Sequence, residues 1–323
     1  MLTAALNCSE GRDSGILEKL ASAAGDALLD LHADPWHHRC VLTLGGPATE
    51  EAARHVAAAA VAAIDLRAHA GVHPRIGVVD VVPFTPYPPF VRPARAPGGA
   101  AGSGSPPGGA TPAGSPEPPG GAIPPGRAAG ALEPAPLGEA LRARDDFAAW
   151  ASSELGLPCF LYGPGRSLPE LRREAFRALV PDCGPAVADP ATGACCIGAR
   201  EPLVAYNLVL AAGELARERQ IAAAIRSPAI RALGLRTGTE IQVSCNLLRP
   251  LEIGPAEAYD LVAGFAAVER AELVGLIPAA ALERIPVRRW PELDVGIDRT
   301  LERRLAAAPG TSRSRGFLPG ETS

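Results

Sequence analysis

The first 90 residues divide into six segments, each of the length of a strand or a helix. They occupy, in turn, 2–7, 16–24, 27–33, 39–45, 47–66 and 76–84. The first, third, fourth and sixth are apolar runs typical of strands, whereas the second and fifth have the apolar spacing of helices. This order is that of the split βαβ, or ferredoxin-like, unit. The sequence therefore predicts a ferredoxin-like subdomain in the N-terminal part.

The remainder of the chain continues as a mixture of helices and strands. Helices are predicted at 138–155, 213–226 and 255–273, and strands at 157–163, 194–200, 202–210 and 240–248. The strands 194–200 and 202–210 are expected to form a hairpin. The whole pattern predicts an α+β fold with two ferredoxin-like, or split βαβ-type, subdomains and mixed β-sheets.

A segment of thirty residues, 97–126, interrupts this pattern. Apart from Glu117 and Ile123, it contains only Gly, Pro, Ala, Ser and Thr. Such a composition cannot bury enough apolar surface to fold, so we predict a disordered insert. Loop closure costs only about 0.6 kcal/mol per doubling of length, so the flanking elements can still belong to one unit. The expected division is 1–180, 181–305 and a disordered tail, 306–323.

Charge and cysteine content exclude several classes of protein. Basic and acidic residues nearly balance, 31 against 35, which argues against a nucleic-acid binder that acts through a broad basic field. The apolar run 57–64 is too short to span a membrane, and the N-terminus lacks the features of an export signal. The seven cysteines form no CxxC pair. We expect a cytoplasmic protein with free thiols, no nucleic-acid or membrane partner, and a homodimeric assembly.

The stretch HAGVHPRIGVVD, 69–80, holds two of the six histidines. A zinc pair would need both on one helix face, but Gly71 lies between His69 and His73, and Pro74 prevents a helix from continuing. An acid–base role fits better, because a loop before a buried strand presents reactive groups and histidine titrates near neutral pH. Arg75 could hold an anion. A surface loop without function is the alternative from these residues alone.

Three other stretches suggest ligand contacts. The turn region 29–43 groups His32, His37 and His38 with Arg39, although a polar hairpin is the simpler interpretation. NCSEG, 7–11, places polar groups where a strand meets a helix N-terminus, which suits either an anion or an ordinary N-cap. The Gly- and Pro-rich segment 184–193 could surround a ligand with backbone groups, although it lacks the GK[ST] of a P-loop.

Taken together and in this order, the segments resemble the glutamate formimidoyltransferase family. The matching stretches are LNCSEG, DPWHHRCVLT, DLRAHAGVHPRIGVVDVVPF, LPCFLYG, GPAVADPATGACCIGAR, PLVAYNLVL, IQVSCNLL and ELVGLIP. The most specific is HxGxHPRxG followed by a valine-rich strand and Pro-Phe. The resemblance runs from residue 2 to about 290, apart from the insert, and is to the transferase part without a cyclodeaminase domain.

The resemblance implies a ligand groove between two α+β subdomains that binds tetrahydrofolate as co-substrate. The formimino group of N-formimino-L-glutamate would pass to N5 of the folate and release glutamate, without a metal. The implied catalytic residue is His73. The implied folate loop consists of Gly184, Pro185, Ala186, Val187, Ala188, Asp189, Pro190, Ala191, Thr192 and Gly193. We expect a β-branched residue at Gly193 to weaken folate binding more than it lowers stability.

Further contacts follow from the matching segments and from the charge of the substrates. A second folate contact falls near Ile225–Ser227. Both substrates carry glutamate carboxylates, which Arg residues bind as forks, so Arg39, Arg75 and Arg200 are candidates. Asn7 could hydrogen-bond the pterin or the amidine.

The chain departs from the family pattern at three positions. It has His32 where the family has Asp, His38 where the family has Asn, and Val72 where the family has Glu. A carboxylate beside His73 would raise the pKa of that imidazole or fix its tautomer, and here it is missing. One alternative function is therefore a folate-binding relative without catalysis. Another is a metal-dependent hydrolase that uses His32, His37, His38, His69 and His73.

Overall fold

The structure is a computed structural model that describes residues 1–72, 74–91, 132–211 and 217–308. The insert 97–126 and the tail beyond residue 308 lie outside the described residues. Within the described part of the chain, no helix is long and apolar enough to cross a membrane.

The N-terminal unit has the predicted ferredoxin-like order. Its elements are β1 (Leu2–Cys8), α1 (Ser14–Ala24), β2 (Leu28–Asp34), β3 (Arg39–Gly46), α2 (Thr49–Ala63) and β4 (Val79–Pro86). β1 lies between β3 and β4 and pairs antiparallel with both, and β2 pairs antiparallel with β3. The prediction for this part of the chain is confirmed.

Further strands and helices follow the first unit and extend its sheet. They are β5 (Phe90–Val91), β6 (Glu133–Pro134), α3 (Gly138–Glu154), β7 (Cys159–Tyr162), α4 (Leu168–Glu174) and β8 (Cys195–Ala199). β8 pairs parallel with β4, and β7 pairs parallel with β8, which gives the order β2-β3-β1-β4-β8-β7. The sheet is thus mixed, as predicted. β5 and β6 form a separate two-stranded sheet.

The C-terminal unit repeats the same topology. Its elements are β9 (Val204–Leu210), α5 (Arg217–Ile225), β10 (Ile230–Thr237), β11 (Glu240–Leu247), α6 (Pro255–Ala263) and β12 (Val268–Val274), followed by α7 (Ala279–Leu282) and α8 (Leu301–Ala307). The sheet order is β10-β11-β9-β12. All three pairings are antiparallel, so this second sheet is not mixed.

Two local predictions are wrong. The stretches 194–200 and 202–210 do not form a hairpin, because β8 belongs to the first sheet and β9 to the second. The chain therefore passes between the sheets after Ala199, later than the predicted boundary at 180. The predicted helix 255–273 ends at Ala263, and its second half is β12, because the backbone turns away through 264–267. β12 then completes the antiparallel edge of the second sheet, where it pairs with β9.

The apolar residues of the first sheet pack under its helices. Leu6, Leu42 and Phe84 are fully buried in one cluster with residues of α2 and α3. The second sheet packs its own cluster, centred on Tyr206 and Leu208, against α5 and α6. Because side chains alternate along a strand, the residues that do not enter these cores lie on the opposite face of each sheet. Those two faces lie toward each other, and the candidate site lies between them.

Candidate active site

A cavity of about 570 Å³ lies between the uncovered faces of the two sheets, within the size range of small-molecule sites. The first sheet contributes Thr3, Ala5 and Asn7 from β1, and alternating residues of β3 and β4. The second sheet contributes one row of register partners, which consists of Arg231, Asn246, Ala205 and Val274. Both units therefore form the walls, as the implied groove requires.

The lining of the cavity is rich in arginine. Arg39, Arg166, Arg172, Arg200 and Arg231 line it, whereas Glu201 is the one carboxylate residue among the described residues that do so. Arg166 and Arg172 form ion pairs with Asp182 and Asp80, so the other three supply the excess of positive charge. Guanidinium groups bind carboxylates in bidentate fashion, and a concave, partly dry site strengthens such pairs. The arrangement suits a ligand that carries more than one carboxylate.

Strand register gives the cavity two distinct ends. Asn7, Val41 and Val81 are neighbours at one end, which we call the loop end, because β4 begins there directly after residues 69–78. Thr3 and Thr85 are partners at the other, which we call the threonine end. Four residues of β1 separate the two, which corresponds to about 13 Å.

The loop end contains a buried charge cluster. Asp80 is 4% exposed and forms an ion pair with Arg172, and its Oδ1 accepts a hydrogen bond of 2.8 Å from the Ile76 amide. Burial raises the pKa of Asp80, although the neighbouring Arg172 opposes this. Burial also lowers the pKa of Arg39 to about 10, a value at which its guanidinium stays charged at neutral pH. Asp34 and Asp80 oppose that shift, and this end therefore holds a charged guanidinium in the same cavity wall as Asn7.

The two strands that extend the first sheet, β7 and β8, form part of the threonine end. Arg200 follows β8, and its backbone amide donates to the Phe84 carbonyl at 3.1 Å. Burial lowers the pKa of Arg200, and the hydroxyl of Tyr162 opposes this shift. Arg200 thus lies about 13 Å along β4 from the Asp80 cluster. The predicted anion-binding residues Arg39 and Arg200 line the same cavity, but at opposite ends.

The loop that was predicted to be catalytic lies beside the loop end. His73 itself lies outside the described residues. The His69 Nε2–H donates to the His38 carbonyl at 2.7 Å, and its Nδ1 accepts from the Gly71 amide at 3.1 Å. Both ring nitrogens are therefore used within the loop, and burial lowers the pKa of His69. His69 supports the loop conformation in its neutral form.

Arg75 and His38 complete this loop structure. The guanidinium of Arg75 donates to the carbonyls of His38 at 3.0 Å and His37 at 2.9 Å, and it also contacts His69. The ring of His38 stacks on that of His69, with 4.0 Å between centroids. His38 has a φ of +49°, a conformation that Asn adopts readily and His less so. The Asn that the resemblance implies at this position would suit this backbone conformation, and Arg75 is positioned to bind the hairpin.

The helix N-terminus in NCSEG is filled by the protein's own carboxylate. Glu10 Oε1 accepts hydrogen bonds from the amides of Gly11, Arg12 and Asp13 at 2.7–3.0 Å, and it lies 3.2 Å from His38 Nε2. The side chain of Asp13 caps α1. Of the two interpretations of this segment, a capped helix start is therefore the one that fits. The carboxylate of Glu10 occupies the position at which an anion could otherwise bind. Asn7 lies apart from it, in the cavity wall.

Glu10→Gln is expected to lower the free energy of unfolding by about 2 kcal/mol at pH 7, because three amides lose a charged acceptor. Burial raises the pKa of Glu10, but the amides of Arg12, Asp13 and Gly11 outweigh it, so the pKa lies below its usual value of 4.5. The stabilisation is present above that value and is lost as pH falls through the lowered pKa. Urea unfolding at pH 7 and below about pH 4 tests this.

Glu18→Gln is the control for this measurement, because Glu18 is exposed on the same helix. An equal loss of stability in both variants would show that the effect is a general one of charge and not of the three hydrogen bonds.

The segment 184–193 lies against the histidine loop and not in the wall of the cavity. The Ala191 carbonyl accepts from the Leu66 amide at 2.8 Å, and the Thr192 carbonyl accepts from the Val78 amide at 2.8 Å. Most of the segment is exposed, with Val187 at 79%. Gly193 is buried with a φ of +70°, and a Cβ there would overlap the Ile76 carbonyl. A side chain at Gly193 should therefore lower stability first, contrary to the sequence-based expectation.

The hairpin histidines connect the two units. His37 is fully buried, and its Nε2 accepts a hydrogen bond of 2.9 Å from Gln242 on β11. His32 Nε2 lies 3.6 Å from Glu272 Oε1 on β12. In the parts of the chain that the structure describes, no three His, Cys, Asp or Glu side chains are grouped as for a metal ion. These contacts bridge the two sheets, a role that the sequence did not indicate.

Sequence analysis missed several residues of the cavity. Arg166, Arg172 and Arg231 line it outside the stretches that match the family, whereas Asn246 lies within one of them, IQVSCNLL, but was not predicted as a ligand contact. The position Ile225–Ser227, expected as a second folate contact, is not among the lining residues. Only the pairing of strands brings the missed residues together, so a single sequence offers no signal for them.

Comparison with known proteins identifies relatives over most of the chain. Residues 1–91 match the family model described as the formiminotransferase domain, N-terminal subdomain. A glutamate formimidoyltransferase from Thermoplasma acidophilum is 30% identical over 313 residues, which cover 85% of this chain and 88% of that protein. One from Streptococcus pyogenes serotype M1 is 27% identical over 312 residues, with the same coverage. A formimidoyltransferase-cyclodeaminase from Sus scrofa is 30% identical over 225 residues, or 63% of this chain and 33% of that protein.

Proposed function

This chain belongs to the glutamate formimidoyltransferase family, and from that membership we propose that it transfers the formimino group of N-formimino-L-glutamate to N5 of tetrahydrofolate. The products are L-glutamate and 5-formiminotetrahydrofolate. The observation that supports this most is the cationic cavity between the two sheets, which five arginines and one carboxylate residue line among the described residues. Both proposed substrates are anionic through glutamate carboxylates, so the charge of the cavity matches them.

The chemistry requires one group that can move a proton between two nitrogens. When N5 attacks the amidine carbon, N5 must lose a proton, and the glutamate nitrogen must gain one before it leaves. A neutral imidazole can accept the first proton and return it to the second nitrogen. We assign this role to His73. His69 is not suited to it, because both of its ring nitrogens have partners within the loop.

The other predicted residues fall into distinct roles under this proposal. Arg39, with Arg172 and Asn7, faces the reacting groups from the loop end of the cavity. Arg200 contacts a carboxylate at the threonine end. Arg75 acts indirectly, because it binds the carbonyls of the hairpin that precedes Arg39. The predicted cytoplasmic location, the homodimer and the absence of a metal stay predictions.

The segment Gly184–Gly193 remains our proposed folate loop because it adjoins the loop that carries His73. Val187→Asp is expected to weaken tetrahydrofolate binding about tenfold, or about 1.4 kcal/mol, because it places a negative charge beside an anionic ligand. Titration with tetrahydrofolate measures this. Val180→Asp is the control, since Val180 is exposed to 78% and Val187 to 79%. Equal affinities of the two variants would exclude the segment from the folate site.

Turnover of N-formimino-L-glutamate with tetrahydrofolate tests the proposed function directly. The alternative, a folate-binding protein without catalysis, is motivated by the exposed Val72, at a position where the family resemblance implies Glu. Tetrahydrofolate binding without release of glutamate would support that alternative. Absence of both binding and turnover would contradict the two proposals together.

A further inference from the structure

We propose that Arg231, together with its cross-strand neighbour Asn246, binds the glutamate carboxylates of the folate, so that the second unit recognises the tail of one substrate. This inference rests on the proposed function and assigns a specific part of the ligand to one end of the cavity. It also names a specificity-determining residue in a strand that sequence analysis did not predict.

The first observation is the position of Arg231 in the wall. Arg231 and Asn246 are register partners on β10 and β11, and both line the cavity from the second sheet. Both side chains are exposed, and among the described residues the guanidinium of Arg231 has no hydrogen bond or ion pair, although it interacts electrostatically with Glu170 of α4. A guanidinium and an amide side by side offer several donors to a carboxylate.

The second observation is the distance from the reacting end. On β11, Gln242 binds His37 of the hairpin that precedes Arg39, and Asn246 lies four residues further along the same strand. Four residues of a strand span about 13 Å. Because Arg75 of the histidine loop binds the same hairpin, the row of Arg231 lies about 13 Å along β11 from the point where that hairpin contacts the second sheet.

The two substrates carry their carboxylates at different distances from the reacting nitrogen. In N-formimino-L-glutamate, the α-carboxylate is bonded to the carbon that carries the reacting nitrogen, and the γ-carboxylate lies only three carbons beyond it. In tetrahydrofolate, the whole aminobenzoyl group separates N5 from the glutamate. If the reacting atoms lie at the loop end, as the proposed function requires, a carboxylate site about 13 Å further along the strands suits the folate and not the formimino donor.

The threonine end supplies a complementary contact from the first unit. Arg200 lines the cavity there and follows β8 directly. A folate glutamate has two carboxylates, so one cation from each unit can bind it. This arrangement leaves Arg39 and Arg172, at the loop end, for the carboxylates of the formimino donor.

The test compares Arg231→Gln with Arg236→Gln, an exposed residue of the same strand that does not line the cavity. Steady-state kinetics are measured with tetrahydrofolate and with tetrahydropteroate, which lacks glutamate. We expect Arg231→Gln to raise KM for tetrahydrofolate roughly 10–100-fold, with kcat and KM for the formimino donor unchanged. KM for tetrahydropteroate should not change, and Arg236→Gln should behave as the wild type.

Three results would overturn the proposal. An equal rise in KM for tetrahydropteroate would show that Arg231 does not bind the glutamate. A rise in KM for N-formimino-L-glutamate would assign Arg231 to the donor, and an equal effect of Arg236→Gln would indicate a general effect of charge. If the wild type shows no turnover, the proposed function fails, whereas direct titration with the two folates still tests whether Arg231 distinguishes them.

Discussion

Replacing His73 with glutamine is expected to reduce turnover of N-formimino-L-glutamate roughly 10²–10⁴-fold, the usual contribution of general acid–base catalysis. Glutamine keeps a polar side chain of similar reach, but it cannot accept and return a proton. Tetrahydrofolate affinity and melting temperature should stay close to those of the wild type. Steady-state kinetics together with a binding titration measure both.

His69→Gln serves as the comparison for this variant. Its ring supports the loop through hydrogen bonds to the His38 carbonyl and from the Gly71 amide, so its replacement should lower stability more than it slows the reaction at saturating substrate. If His73→Gln retains most of its turnover, the proton transfer belongs to another group, and His38, at the same loop, becomes the next residue to test.

The pH dependence of the rate provides a second test of the role of His73. A general base must be neutral, so turnover should fall as pH drops through the pKa of His73. With Val72 in place of the Glu that the family resemblance implies, we expect no raised pKa, and the midpoint should lie at or below about 6.5. A midpoint well above this value would mean that a carboxylate faces His73 after all.

Gly193→Ala is expected to lower the free energy of unfolding by about 4 kcal/mol or more. The residue has a φ of +70°, and an added Cβ would overlap the Ile76 carbonyl oxygen and lie 2.6 Å from Gly77 Cα. Both neighbours are backbone atoms and cannot move aside without displacing the start of β4. Urea unfolding followed by circular dichroism measures the loss.

Gly156→Ala separates the two causes, because Gly156 has a φ of +62° but no atom within 4 Å of the added Cβ. It should cost only the strain of the left-handed conformation, about 1–2 kcal/mol. Similar losses in the two variants would show that strain alone explains both and that residues 76–77 adapt to a side chain at Gly193.

The sequence predicted the topology better than it predicted the site. The spacing of apolar residues was sufficient to predict the strands and helices of the first unit, because clear turns separate these elements. β10 and β12 were missed, since the first contains Gly234 and the second follows a helix that ends at Gly264, a single glycine that a longer helix also tolerates. Strand pairing alone brings Arg231 opposite the first sheet, and no local pattern records such a contact.

The sequence identifies segments near the candidate site, but it does not identify the contacts that their residues make. The segment 184–193 adjoins the histidine loop, as a shared site would require, yet its residues do not line the cavity. Arg75 was expected to hold an anion, whereas it binds two backbone carbonyls. Backbone acceptors of this kind are invisible in a sequence, because any residue can provide them.

The two halves of this chain have the same strand order, 2-3-1-4, and they face one another as two copies of one architecture would. A pair of identical halves would give the space between them equivalent mouths. Among the described residues, the first half alone carries additional parallel strands, β8 and β7, which bring Tyr162 and Arg200 to one mouth. The two repeated halves thus form the walls of the cavity. The additional strands make its two ends different, as a ligand with a flat ring system at one end and two carboxylates at the other requires.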